Sequence, residues 1–321
     1  MRHNTCGLNH LVYPEPDTTG LQFGLELECE GNNLPTHNFR YWKTTNDGSL
    51  RGESAEYVSS KPVPNESVVN AINSLWEKFQ KNDTKLSRSY RTSYHVHLNC
   101  QDLTYLQALN VFLGFTMIEP VLEQVVGDNR VNNVFCISPR SSGALFDSIY
   151  KGLKQAFNPL FNFRTNDLRY SSINLCSLFK FGTIEIRLMS GNVTKEDMLL
   201  WTKACGQVHE YFSRPDLLPH DIVEMPSFLG LKALSESIFS EDVQKYLGVD
   251  NLDNSPHIQR SVFEATRCFQ AIAYEFREVF EEALNRSSTP LAAPIGSSLD
   301  PRDFVQPGPR LDNDIDNEFF R

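Results

Sequence analysis

The sequence predicts an α+β fold, with one domain over residues 1–286 and a flexible tail over residues 287–321. Apolar residues alternate with other residues in the segments FGLELECE, YHVHL and GTIEIRL, which is typical of half-buried strands. Apolar residues recur at helical spacing after the first strands and again from residue 194 onward. From Ser287 this periodicity stops and Pro, Gly, Ser and Asp become frequent, which is typical of a flexible segment.

The first half of the domain predicts strands followed by helices. LQFGLELECE is the first strand, and an Asp47-Gly48 turn between strand-like flanks indicates a hairpin. The segment PNESVVNAINSLWEKFQKND has apolar residues at helical spacing, and YHVHL is again a strand. A second helix covers LTYLQALNVFLGFTMIEPVLEQVVG; it is kinked or ends near Pro120, and Gly127 closes it.

The second half predicts an irregular segment over residues 128–165, then two strands joined near Phe181-Gly182, then three helices. The first of these helices begins at Thr194, an N-cap whose capping-box partner is three residues further on. The second covers MPSFLGLKALSESIFSEDVQKYL. The third is long, because Ser255 and Pro256 are typical of an N-cap and a first helical position.

Composition and charge limit the classes of function that the chain can have. Hydrophobic residues make up 40% and charged residues 22% of the chain, as in soluble globular proteins, and the net charge is −10. The chain has no long basic run for nucleic acid, and its most apolar segment is too short to span a bilayer. The N-terminus has no apolar leader, and the seven cysteines include no C-x-x-C pair. We therefore expect a cytoplasmic protein without nucleic-acid or membrane partners; the oligomeric state is not predicted.

The first strand carries three glutamates in alternate positions, Glu26, Glu28 and Glu30. Side chains on a strand alternate between faces, so the glutamates share one face and the apolar residues between them share the other. Like charges on one face repel each other, so this face is either solvated or balanced by a positive partner.

Other predicted strands have the same geometry. His95 and His97 lie two residues apart on one strand, Glu185 and Arg187 lie two apart on another, and Glu56 begins an alternating segment. If these strands are neighbours, their polar faces form one wall of carboxylates, imidazoles and a guanidinium. Carboxylate oxygens suit hard cations, so the wall predicts a site for Mg²⁺ or Mn²⁺.

These segments, in their order along the chain, resemble the putative amidoligase family. The matching blocks are FGLELE, DGSL with AEYVSS, HVHL, NR with FC, and RYSSINL with GTIEIRLMSG, between Phe23 and Gly191. That family belongs to the superfamily of carboxylate–amine ligases that includes glutamine synthetase and glutamate–cysteine ligase. The resemblance implies a curved, mostly antiparallel sheet of the glutamine synthetase type, whose concave face binds ATP and Mg²⁺ (or Mn²⁺).

The resemblance also implies a reaction and its residues. The reaction is ATP-dependent formation of an amide from an acid and an amine, each a small molecule or a peptide, through an acyl phosphate. The implied metal ligands are Glu26, Glu28, Glu56, His95 and Glu185. The implied nucleotide and phosphate contacts are Arg187, Arg169, Asn174 and His95. Arg187 would stabilise the transferred phosphoryl group, since its guanidinium is always charged.

Several assignments stay open at this stage. Either Glu56 or His97 serves as the general base, and Glu53 competes with Glu56 for its position. Tyr94, where the family commonly has a small residue, either narrows the nucleotide pocket or faces the core. Arg130 and Arg140, in the irregular segment, are candidates for contacts with the substrate carboxylate or with ATP.

Two other functions compete with the ligase. A metal-dependent phosphohydrolase could also use a wall of carboxylates and histidines, although Asp-rich motifs typical of such enzymes are missing. A catalytically inactive relative would bind only nucleotide or a partner protein, but the complete set of polar residues argues against decay. No P-loop or G-x-G-x-x-G motif is present, which excludes the common phosphate-binding loops.

Overall fold

The fold consists of an open, curved, antiparallel sheet and a set of helices, as the α+β prediction requires. The structure is a computed structural model that describes residues 7–13, 16–127, 129–131, 133–154, 163 and 168–287. Its strands are β1 (Gln22–Asn32), β2 (Trp42–Thr45), β3 (Ser54–Ser59), β4 (Val63–Pro64), β5 (Lys85–Leu86), β6 (Ser93–Asn99), β7 (Ile173–Asn174) and β8 (Thr183–Ser190). The predicted tail lies outside the described residues apart from Ser287, so the tail and its boundary stay predictions.

Most of the helices follow the last strand in the sequence. They are α1 (Val68–Lys81), α2 (Tyr105–Leu122), α3 (Gly143–Lys154), α4 (Cys176–Phe181), α5 (Lys195–Phe212), α6 (Pro219–Leu229), α7 (Leu231–Ile238), α8 (Glu241–Leu247), α9 (Pro256–Glu275) and α10 (Arg277–Ser287). The predicted caps are confirmed: Thr194 forms a capping box with Asp197, and the Ser255 side chain accepts a hydrogen bond at the start of α9.

The strands are ordered β2-β3-β1-β6-β8-β7, with β4 and β5 pairing additionally with β1. Every pair is antiparallel, and β2 and β3 form the hairpin predicted around the Asp47-Gly48 turn. On β1, Leu25 and Leu27 are fully buried, which places the apolar face of the central strand in the core. The alternating glutamates therefore project from the opposite face of the sheet.

Helix α2 is the central helix of the core. It contacts α5, α6 and α9, and nearly all its side chains are buried. In the described part of the chain it is also the helix that is apolar and long enough to cross a membrane, but 89% of its residues are buried inside the protein. This burial identifies α2 as a core helix, which explains why it is apolar on every side.

The structure corrects three predictions. The irregular segment contains α3, whose Leu145, Ile149 and Leu153 are buried at helical spacing. The first of the two predicted strands is only the short β7. The residues after it form α4, which ends at Gly182 in the left-handed conformation.

Side chains near α4 bond to the nearby backbone and so compete with strand pairing. The Asn174 side chain accepts a hydrogen bond from the Cys176 amide, and the Ser177 hydroxyl donates to the Thr183 carbonyl. Two of the three predicted final helices are also divided: the middle one becomes α6, α7 and α8, and the long last one breaks at Phe276 into α9 and α10.

Candidate functional site

The register of the sheet brings the predicted polar residues into neighbouring positions. Glu28 on β1 lies opposite Glu56 on β3 and opposite Ser93 on β6. Glu26, one step along the same face, lies opposite His95. Residues directly opposite each other on adjacent strands have Cβ atoms about 5 Å apart, so these side chains meet.

A further row extends toward the other edge of the sheet. His97 on β6 lies opposite Glu185 on β8, which in turn lies opposite Asn174 on β7. On the β1 side His97 faces Gly24, where an added Cβ would lie 3.0 Å from the His97 Cβ. Glycine at this position therefore leaves room for the imidazole. The Asn174 amide donates to Glu185 Oε2 at 2.7 Å.

His95 is at the centre of the cluster and is fully buried. Its Nδ1 lies 2.9 Å from Glu26 Oε1 and 3.3 Å from Glu185 Oε1, and its Nε2 lies 3.7 Å from Glu28 Oε2. The Nε2 atom has no hydrogen-bond partner among the described residues. A buried polar atom without a partner costs stability, and the position of this atom beside carboxylates would suit a further ligand.

His97 is placed differently from His95. Its Nδ1 is 3.0 Å from the Thr183 hydroxyl, and its Nε2 lies 3.8 Å from Glu26 and 3.9 Å from Glu185. The ring meets Phe181 edge to face. The two histidines of the H-x-H motif are thus distinct: one is at the centre of the cluster and the other lies between the cluster and α4.

Arg187 enters the cluster at a β-bulge. Tyr94 pairs with Met189 and Val96 pairs with Ile186, so one residue of β6 faces two residues of β8, Arg187 and Leu188. The Arg187 guanidinium donates from Nη1 to Glu185 Oε1 at 2.5 Å. Its Nε is buried and without a partner in the described part of the chain.

A second buried arginine holds this bulge. Arg130 is fully buried and donates from Nη2 to the Arg187 carbonyl at 2.5 Å and from Nε to the Leu188 carbonyl at 3.4 Å. The Arg187 amide donates to the Ser172 carbonyl at 2.9 Å. The backbone that carries Arg187 is therefore fixed on both sides of the strand. The Nη1 atom of Arg130 is buried and has no hydrogen-bond partner among the described residues.

By formal charge the carboxylates of the cluster outnumber its guanidinium; burial opposes a positive charge on His97, but Glu185 and Glu26 raise its pKa. In the described part of the chain it contains four carboxylates, Glu26, Glu28, Glu56 and Glu185, and one guanidinium in contact with them. The surrounding carboxylates, Glu185 foremost, raise the pKa of Arg187 although burial opposes its charge. A divalent cation is the partner that would supply the missing positive charge.

The carboxylates divide into two groups by pKa. The pKa values of Glu26 and Glu185 are lowered, although burial acts to raise both. For Glu26 the lowering comes from His95 and His97. For Glu185 it comes from Arg187 and both histidines. Burial raises the pKa of Glu28 in spite of His95 and Arg187.

Glu56 is the other carboxylate with a raised pKa. Burial and the nearby carboxylates raise it to about 7, although Thr45 donates a hydrogen bond to Glu56. The folded cluster therefore disfavours negative charge at Glu28 and Glu56.

Three of the side chains fit a metal ion. Ligand atoms of Glu26, Glu28 and His95 all lie within 4.8 Å of one another. Two carboxylates and one imidazole form a donor set that suits Mg²⁺ or Mn²⁺ when further oxygen ligands complete the shell. The unpartnered Nε2 of His95 is the observation that supports this fit.

The structure places the other predicted arginines outside this cluster. Arg169 is exposed and lies over the Tyr170 ring, with its guanidinium carbon 4.6 Å from the ring centroid. Arg140 donates to both carboxylate oxygens of Glu123, at 2.6 and 2.7 Å, and lies 3.4 Å from buried Glu119. Arg140, Glu119 and Glu123 therefore form an ion-pair network that is separate from the cluster.

Two open assignments are resolved by position. Tyr94 faces the core, where it is fully buried and its hydroxyl lies 2.7 Å from the Thr202 hydroxyl. The Glu53 side chain accepts a hydrogen bond from the Leu34 amide at 2.9 Å, so Glu56 is the carboxylate of this hairpin that lies opposite Glu28.

Sequence reasoning missed the hydroxyl groups that hold the carboxylates in place. The Ser93 hydroxyl donates to Glu28, and the Thr45 hydroxyl donates to Glu56. Both lie on a neighbouring strand beside their partner, so a correct strand register would have identified them. Sequence reasoning also did not predict that Arg130 binds the backbone carbonyls of β8.

One family model matches the chain: a model described as "Putative amidoligase enzyme" matches residues 30–209. The match covers more than half of the 321 residues and includes β3, β6, β7 and β8. It begins at the last glutamate of the β1 row, so Glu26 and Glu28 lie just before it. No curated protein matches the chain.

Proposed function

Because the chain belongs to the putative amidoligase family, we propose that it joins a carboxylate to an amine in an ATP- and Mg²⁺-dependent reaction. The observation that supports this proposal is the convergence of four glutamates, two histidines and Arg187 on one face of the sheet, in register on adjacent strands. The proposed sheet is of the glutamine synthetase type, with this face as the concave nucleotide-binding face.

Each residue has a proposed role. Glu26, Glu28 and His95 would hold Mg²⁺, with Glu185 and Glu56 beside them; the bound ion would neutralise charge on the phosphates. Asn174 orients Glu185 through its hydrogen bond. Arg187, whose buried Nε has no partner among the described residues, would donate to the transferred phosphoryl group.

The chemistry explains why such a cluster is needed. A carboxylate and an amine do not condense spontaneously in water, so a carboxylate oxygen of the acid first attacks the γ-phosphorus of ATP and ADP leaves. The amine then attacks the acyl carbon, and the phosphate leaves with the electrons of the acyl–oxygen bond. The first transfer requires positioning and positive charge much more than covalent help from the protein.

A proton must leave the amine before or during its attack, and either of two residues would accept it. Glu56 lies on the β3 side of the cluster, and His97 lies on the β8 side, near Thr183 and Phe181. The two positions are at opposite ends of the cluster. Identifying the base would therefore also indicate the side from which the amine approaches.

The test is ADP release by the purified protein with Mg²⁺ and ATP, against mixtures of amino acids and short peptides. Release that requires both an acid and an amine, and that is lost in Arg187→Gln, supports the ligase. Arg214→Gln is the control for the loss of an arginine outside the cluster, because Arg214 is exposed and contacts Tyr211 and Asp216. Phosphate release without an amine would instead support a metal-dependent phosphohydrolase. No Mg·ATP binding in calorimetry would contradict the ATP-dependent proposal.

A further inference from the structure

A group of exposed and half-buried aromatic and arginine side chains lies near residues of the cluster in the sequence and has no role in the proposed reaction. It is formed by Tyr90, Phe135 and Tyr170 together with Arg91 and Arg169, and we refer to it as the aromatic–arginine surface. Tyr90 stacks on Phe135 with ring centroids 6.3 Å apart, and Phe135 meets Tyr170 edge to face at 5.8 Å. The outer rings are therefore at most about 12 Å apart.

The two arginines flank the rings. The Arg91 guanidinium carbon lies 4.3 Å from the Tyr90 ring centroid, and that of Arg169 lies 4.6 Å from the Tyr170 centroid. Arg169 also donates from Nη2 to the Tyr170 hydroxyl. Stacking on an aromatic face holds a guanidinium in place, and the N–H groups beyond this bond can bind a planar acceptor such as a carboxylate.

Hydrogen bonds between the loops hold this surface together. The Asn133 amide donates to the Tyr90 carbonyl at 2.8 Å, and the Ile137 backbone amide donates to the Tyr170 carbonyl at 2.7 Å. Residues 87–92, 133–138 and 168–172 include no Asp or Glu, although the chain as a whole carries a net charge of −10. The surface is therefore locally cationic on an acidic protein, and it is complementary to an anionic ligand.

The surface is continuous with the candidate site. Arg91 lies two residues before Ser93, whose hydroxyl donates to Glu28. Tyr170 lies two residues before Ser172, whose carbonyl accepts the Arg187 amide. A ligand that lies across the rings would therefore lie close to the segments that carry Ser93 and Ser172, which contact Glu28 and Arg187.

We propose that the aromatic–arginine surface binds the acid substrate, and that this substrate is an acidic peptide with carboxylates beyond the one that is ligated. An extended peptide advances about 3.3 Å per residue, so the rings span at most about four residues. The rings contact the flat peptide groups, and the two arginines bind side-chain carboxylates. This inference rests on the proposed function, because it names the substrate class of that site.

The test is a calorimetric titration with tetraglutamate and tetraglutamine peptides in the absence of ATP and metal. Tetraglutamate should bind the wild-type protein and bind about tenfold more weakly to Arg91→Gln/Arg169→Gln, since each exposed charge contact contributes modestly. Tetraglutamine should bind the wild-type protein about as weakly as tetraglutamate binds the double variant. Arg214→Gln should match the wild-type protein, because Arg214 is stacked on Tyr211 at the same 4.3 Å.

Three results would overturn this inference: no tetraglutamate binding to the wild-type protein, equal affinity in the double variant, or equal affinity for the two peptides. A double variant that loses affinity for Mg·ATP and keeps affinity for tetraglutamate would assign the surface to the nucleotide instead. Because the titration contains no ATP, its result is independent of ADP release. A failed ligase assay and a failed peptide assay are therefore distinguishable.

Discussion

The substitution Glu28→Gln should change stability in opposite directions with and without a divalent cation. Burial raises the pKa of Glu28 in spite of nearby His95 and Arg187, so the folded protein disfavours its negative charge. Glutamine has almost the same shape and can still accept the hydrogen bond from Ser93. Without metal, the variant should therefore be more stable than the wild-type protein. With metal, it should be less stable, because the donor set Glu26, Glu28 and His95 has lost one carboxylate.

The magnitudes follow from the burial of the site and from mass action. Removing one disfavoured charge should stabilise the metal-free protein by on the order of 1 kcal/mol. A cation at about 100 times its Kd stabilises the wild-type protein by about 2.7 kcal/mol. For a domain of this size, 1 kcal/mol corresponds to about 2–4 °C in Tm. We therefore expect Mn²⁺ or Mg²⁺ to raise the wild-type Tm by about 5–10 °C, and to raise that of the variant much less.

Thermal unfolding followed by circular dichroism, in EDTA and in millimolar Mn²⁺ or Mg²⁺, measures both effects. Glu30→Gln is the matched control, since Glu30 lies on the same strand, accepts a hydrogen bond from the Arg51 backbone amide at 2.8 Å and is not part of the donor set. Its metal response should equal that of the wild-type protein. A wild-type Tm that neither cation changes would refute the metal site. Equal responses of Glu28→Gln and the wild-type protein would refute the assignment of Glu28 as a ligand.

Three further predictions concern the surroundings of the site. Arg130→Met should lower the free energy of unfolding by roughly 1–3 kcal/mol in denaturant titrations, because it leaves the buried carbonyl of Arg187 without its donor; an unchanged midpoint would contradict the clamp. Burial lowers the pKa of His209 from 6.5 to about 4, so unfolding takes up a proton between these values. The stabilising contribution of neutral His209 is complete above pH 6.5 and is lost toward pH 4. The stability advantage of the wild-type protein over His209→Gln should therefore fall by roughly 3 kcal/mol across this window. A difference in stability that does not change with pH would contradict this prediction. Gly114→Ala should destabilise by roughly 1–3 kcal/mol, because the added methyl group would overlap the Phe212 ring where α2 contacts α5; a variant as stable as the wild-type protein in thermal unfolding would contradict this packing.

The placement of the glutamates could be predicted from the sequence, because alternation is a local property. Leu25 and Leu27 must lie in the core, and this alone directs Glu26 and Glu28 to the other face. The same reasoning applies to Glu185 between its buried isoleucine neighbours. The α+β class and the capped helices also follow from local patterns, and the structure confirms them.

The register and the bulge could not be predicted, because they depend on contacts between distant segments. The H-x-H motif looks symmetrical in the sequence, yet His95 faces Glu26 and His97 faces Glu185. Arg130 looks like a loop arginine, but it is fully buried against the carbonyls of β8. Helix α4 was missed because bonds between side chains and the nearby backbone, such as that of Ser177, outweigh the strand-like pattern.

The construction of the sheet explains why the side chains of the cluster stay close together although their like charges repel each other. The side chains cannot move apart, since their backbones are hydrogen-bonded in one register and the opposite face of β1 is sealed in the core. Arg130 fixes the backbone of the bulge that carries Arg187 through hydrogen bonds to the Arg187 and Leu188 carbonyls. A site of this kind is already arranged for the charge that it receives, and binding a cation requires little reorganisation. The same rigidity is why the removal of a single carboxylate should stabilise the metal-free protein: repulsion that a flexible surface would relieve by movement persists here until a charge is removed or a cation binds.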